Sequence, residues 1–147
     1  MRRTHVLIGA IAVSLVLGCR GDVTAPLAGD KYILESIAGV ALPAPYFNGP
    51  NDPYRIVADT IALQGGGGGL RRTVYEKGTP SDREAVETDF SYTLQGASIA
   101  IYFSCPPNAD CIAGPHLSGT MTDATLNITN ALGGLVPLAY RRRFPPD

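Results

Sequence analysis

Cys105 and Cys111 stand as C-x5-C in the run CPPNADC, and His116 follows shortly after. Two thiols and an imidazole could begin a metal site, but structural zinc takes four ligands and no fourth soft donor follows. A redox-active dithiol favours C-x-x-C at a helix start, which this spacing does not offer. His116 is the single histidine beyond the first 18 residues, so no Ser-His-Asp set can be assembled around a second one. Asp82, Glu84, Glu87 and Asp89 look like paired carboxylates, yet Glu87 and Asp89 share one face of an alternating segment whose other face is apolar. A solvated face accounts for them. Gly65 to Gly69 could suggest a phosphate cradle, but that loop requires a Lys and a following helix. Here Leu70-Arg71-Arg72-Thr73-Val74-Tyr75 continues as strand, so the glycines read as a hairpin loop. These residues imply a non-enzymatic protein with no cofactor and no metal.

The N-terminus supplies an address. Arg2-Arg3 form a basic head, and Val6 to Leu17 form an apolar run of twelve residues. Crossing a hydrocarbon core takes roughly 20 helical residues, whereas a run of this length suits the apolar region of an export signal. It ends in Val16-Leu17-Gly18-Cys19, which resembles a bacterial lipobox. The resemblance implies that Cys19 takes a diacylglycerol as a thioether and becomes the new N-terminus, with Gly18 giving a peptidase access to the bond. Each buried CH2 contributes about 0.8 kcal/mol, and two or three chains make such an anchor effectively permanent. Arg20, where Asp would signal inner-membrane retention, points to the outer membrane, on its periplasmic or surface face. In an exported chain, an even pair at short spacing reads as a structural disulfide between Cys105 and Cys111. A ring of that size contributes roughly 2 kcal/mol in the chain-entropy view.

The remaining composition bounds the domain. Removing 18 of 147 residues leaves 129, enough for one domain. Arg2 and Arg3 leave with the signal while all 13 acids stay, so the net charge moves from −1 to −3. That balance does not suit a nucleic-acid binder. The division expected is residues 1–18 as signal peptide, with a signal helix, residues 19–28 as lipidated tether and residues 29–144 as a single domain. Residues 20–28 carry Pro26 and no periodicity, and reach at most about 30 Å when extended.

Within the domain, short alternating runs are separated by turn chemistry, as in all-β chains. The strands expected are Lys31–Ile37, Arg55–Gln64, Leu70–Lys77, Ala85–Gln95, Ser98–Ser104, His116–Thr122, Thr125–Thr129 and Leu135–Arg142. In Ala85–Gln95, Val86, Thr88, Phe90, Tyr92 and Leu94 share one face and Glu87, Asp89, Ser91, Thr93 and Gln95 the other, predicting one dry and one wet side. Eight strands in sequence form a meander, which loses its edges by closing into an up-and-down barrel. The longest connections then gather at one end, and the tether joins the end with the short turns.

The run Gly29-Asp30-Lys31-Tyr32-Ile33-Leu34-Glu35-Ser36-Ile37-Ala38-Gly39-Val40-Ala41-Leu42-Pro43 resembles the opening of small bacterial lipocalin-like lipoproteins, and Tyr140-Arg141 resembles their closing aromatic-Arg pair. Between them these ends cover residues 29–142. The resemblance implies an eight-stranded lipocalin-like β-barrel. It also implies barrel closure by an early aromatic packed on an Arg of the last strand, with Tyr32 and Arg141 in those roles.

Two functions fit such a protein. In one, the barrel takes a small apolar ligand through the long-loop end, with Tyr46, Phe47 and Tyr54 roofing the cavity and Phe90, Tyr92 and Phe103 lining it. In the other, the same aromatics plug the mouth and, with Leu94, Ile99 and Ile101, fill a structural or interaction barrel that contacts an envelope protein or a protease. An interior an eight-stranded barrel can either fill or open to one small ligand does not separate them.

Overall fold

The computed structural model describes residues 29–45, 54–105, 114–131 and 136–143. The signal segment, Cys19 and the tether lie outside them. The described chain is built almost wholly of strand, and the one helical turn is a 3-10 turn at Gly65–Gly67. The strands are β1 (Asp30–Ile37), β2 (Val40–Ala41), β3 (Ala44–Pro45), β4 (Tyr54–Leu63), β5 (Gly68–Lys77), β6 (Arg83–Gln95), β7 (Ser98–Phe103), β8 (Leu117–Met121), β9 (Thr125–Ala131) and β10 (Leu138–Arg143).

Every pairing is antiparallel. From β4 to β10 each long strand pairs with the next, and β1 pairs with both β10 and β4. The result is the closed eight-stranded meander expected from the alternation, an architecture compatible with a lipocalin-like barrel. The two-residue strands β2 and β3 are additions. β1 meets β4 over Asp30–Ile33 against Thr60–Leu63, and beyond that point the two strands part. β2 then lies against the end of β1 and β3 against the start of β4, so the chain between them occupies the widening seam.

The ends are sorted as the loop lengths predict. Gly29 N–H donates to Leu63 C=O and Arg142 N–H to Ala124 C=O, which places both ends of the domain beside the short turns. Two glycines explain how strands approach closely here. A Cβ at Gly69 would lie 2.2 Å from the Phe90 ring, which covers the bare backbone of β5. At Gly119 it would lie 2.0 Å from the Asn127 carbonyl oxygen, beside a bulge in which Ser118 pairs with Asn130 and Gly119 with Ile128.

Alternation puts one residue in two into the interior. Tyr32, Ile56, Ile61, Leu63, Ile99, Ile101, Met121, Leu126, Ile128, Leu138 and Tyr140 are buried there. The expected dry face of β6 is realised only from Thr88 onward. Val86 is 40% exposed because the β5–β6 hairpin runs past the packed part of the barrel, where no facing strand covers it among the described residues.

Candidate functional site

The interior carries charge that alternation alone did not assign. On β5 the inward set is Gly69, Arg71, Thr73 and Tyr75; on β4 it includes Asp59, Ile61 and Leu63. A bulge at Val57 shifts the parity of β4, so Ile56 and Asp59 both point inward although three positions apart. Asp59 pairs laterally with Thr73 and Ile61 with Arg71, which makes Asp59 and Arg71 diagonal neighbours on one face. Arg71 Nε donates to Asp59 Oδ2 at 2.9 Å and Oδ1 at 3.2 Å, and its terminal nitrogen donates to Oδ2 at 2.5 Å. From β10, Tyr140 Oη donates to the same Oδ2 at 3.2 Å. Asp59 is fully buried and Arg71 is 9% exposed.

This network has a structural logic. Thr60–Ile33 is the last pair between β4 and β1 before the strands separate. Asp59 sits at that fork and ties β4 to β5 on one side and to β10 on the other. Among the described residues no buried side-chain nitrogen or oxygen lacks a hydrogen-bond partner, so the buried ions are fully satisfied. Satisfied in this way, they tie β4 to β5 and β10 at the seam.

The barrel floor is closed by a neighbour of the residue the sequence suggested. Tyr32 is buried as expected, but the Arg opposite it on β10 is Arg142. Arg142 donates to Asp30 Oδ1 at 2.6 Å and to the Asp123 carbonyl at 3.2 Å. The Arg141 side chain is 70% exposed and pairs with Glu35 on the outer face at 2.8 Å. Strand alternation is the reason, since adjacent residues face opposite sides. Burial, and secondarily the Asp30 carboxylate, push the Tyr32 and Tyr92 hydroxyls above the ordinary phenol range.

The remaining candidates fall into separate places. Tyr54 stands half-exposed at the long-loop rim, edge-on to Tyr75 with ring centroids 6.5 Å apart, and Lys77 lies over its ring. Phe90 packs edge-on to Phe103 at 6.2 Å and beside Tyr92 at 6.4 Å, so these three form part of the packed interior. Tyr92 donates to the Gln64 carbonyl at the short-turn end. Tyr46 and Phe47 lie outside the described residues, as does Cys111; Cys105 stands two residues beyond the end of β7. His116 N–H donates to the Ile101 carbonyl and its Nδ1 accepts the Phe103 N–H at 3.0 Å, continuing the β7–β8 ladder beyond the end of β8. That makes it a structural residue at the edge of the β7–β8 ladder. Glu87 pairs with Arg72 across the solvated face.

One open cavity of about 450 Å3 lies outside the barrel, on the outward face of β6–β9. Sequence reasoning placed nothing there. Its signal was the wet face of β6, whose residues beyond Asp89 are uncharged. Comparison with known proteins returns no match to any family model, curated protein or solved structure.

Proposed function

We propose that the chain is a lipoprotein of the cell envelope, anchored at the outer membrane through acylated Cys19. Its lipocalin-like barrel is non-enzymatic and works through its outer surface and loops, as a structural or interaction module. The observation that carries this reading is the interior. Tyr32, Tyr140, Ile61 and Ile101 are each at most 1% exposed in the space a ligand would need, and the Asp59–Arg71–Tyr140 network crosses it. The lipobox resemblance supports the anchor, and the C-x5-C spacing in an exported chain supports a Cys105–Cys111 disulfide. A small apolar ligand is the second reading, favoured by the exposed apolar surface of Tyr54 and Val86 at the long-loop rim.

Two measurements test the proposal. Labelled palmitate should enter the wild-type protein in a bacterial host and be lost in Cys19→Ala, which should accumulate as precursor. Label in Cys19→Ala would remove the anchor. Titration of the purified protein with 1-anilinonaphthalene-8-sulfonate should show no saturable site. Stoichiometric, saturable binding would establish the apolar-ligand reading in place of the filled barrel.

A further inference from the structure

Beyond Asp89 on β6, and across β7 to β9, the outward face differs in chemistry from the rest of the surface. Lateral pairing puts Ser91 beside Tyr102, Thr93 beside Ala100 and Gln95 beside Ser98. The same face continues from Ala100 to Ser118, from Ser98 to Thr120 and from Thr120 to Asn127. None of these positions carries a charge. Elsewhere the outer face carries exposed ion pairs, Arg72–Glu87 and Arg141–Glu35. The cavity of about 450 Å3 is cut into this neutral face, a volume within the range of small-ligand sites, about 300–1,000 Å3. The bulge at Gly119, which bends β8 and β9 and turns out Thr129, forms one wall.

The lining selects a ligand class. Thr93, Gln95, Ser98, Tyr102, Ser118 and Thr120 supply hydroxyl and amide groups to the groove. Their side chains have no hydrogen-bond partner among the described residues, whereas Thr129 reaches the Ser118 carbonyl. Hydroxyls both donate and accept, which complements a partner whose own groups do the same. With no Lys or Arg in the lining, an anion has no counter-charge there. With no carboxylate, a cation has no ligand. Tyr102 adds one aromatic ring, against which the C–H face of a pyranose can rest.

We infer that this groove binds a neutral glycan chain, the sugar hydroxyls meeting the Ser, Thr and Gln side chains and one ring lying on Tyr102. The inference rests on the reading of the protein as an exported interaction module and names the partner class of its outer surface. An open cavity on the outer face admits a polymer passing across it, which a closed barrel interior would not.

The test uses the full chain, purified in detergent, in calorimetric titrations against neutral hexasaccharides of glucose, N-acetylglucosamine and xylose, with polygalacturonate as an acidic control. At least one neutral hexasaccharide should bind. Tyr102→Ala and Ala100→Arg, both on the outward face, should weaken it roughly tenfold or more, as loss of an aromatic anchor does, while Arg72→Ala leaves it unchanged. Circular dichroism confirms that each variant is folded. Failure of every neutral glycan to bind, binding of polygalacturonate alone, or equal binding by both groove variants would overturn the inference. Loss in the groove variants of crosslinks to an envelope protein, with no glycan bound, would do so too and would assign the face to a protein. None of these outcomes bears on the palmitate or fluorophore measurements, so failure here is distinguishable from failure of the functional reading.

Discussion

Replacing Asp59 by Ala removes the acceptor for three short contacts from Arg71 and one from Tyr140. Arg71 cannot compensate by turning to water, because it is 9% exposed and its neighbours Ile61 and Thr73 are buried. Breaking one partner out of a buried pair costs about 3–5 kcal/mol. Stability of a domain this size is roughly 5–15 kcal/mol, so Asp59→Ala removes a large share of it. Arg71→Met should cost a similar amount, since it strands the carboxylate with Tyr140 alone. Replacing all three members by apolar groups, as Asp59→Val with Arg71→Met and Tyr140→Phe, removes the buried charges together and should return to within about 2 kcal/mol of wild type. The assay is urea unfolding followed by far-UV circular dichroism and tyrosine emission, with Asp59→Ala, Arg71→Met and the triple variant compared at constant m-value. The expected signature is strong non-additivity. A loss below about 1 kcal/mol for Asp59→Ala, typical of a solvated pair, would refute the buried network. It would also take away the main support for a filled interior.

The other predictions separate neighbours that look alike in sequence. Arg142→Ala should cost about 3 kcal/mol or more because it leaves Asp30 largely buried without its guanidinium, whereas Arg141→Ala should cost less than about 1 kcal/mol; equal losses in urea midpoints would mean that the floor has been misassigned. Gly119→Ala should destabilise by about 1–3 kcal/mol, since the added methyl meets the Asn127 carbonyl, and an unchanged thermal midpoint would show that β8 and β9 are not so closely apposed. The alkaline limb of stability should depend on Tyr32 and Tyr92. Their folded pKa values are raised above the unfolded one, so their contribution is complete below about pH 10 and lost as pH rises through the folded values. Tyr32→Phe should flatten the fall in urea midpoint above pH 10, and an unaltered slope would count against burial of that hydroxyl.

The alternation of apolar and polar residues was enough to specify a closed meander, its eight long strands and the sorting of short and long connections. Period-two patterning and turn residues are local properties, and they act wherever the chain is. The alternation from Phe90 to Leu94 and the glycines before Leu70 carried that information directly. Which face of an ambiguous strand turned inward was not local. Leu70 to Tyr75 places one Arg on each side whichever way it is turned, and the choice fell to Arg71 because Asp59 on the adjoining strand could neutralise it. Asp59 itself reached the interior through the Val57 bulge, a register shift that no residue type announces. The same holds at the floor, where one step of alternation gave the closing role to Arg142 instead of Arg141. The neutral groove was visible only as uncharged residues scattered over several segments until pairing of β6 to β9 set them side by side. Periodicity is written along the chain, whereas the partner of a buried charge and the shape of an outer face depend on strand register, which only the closed barrel fixes.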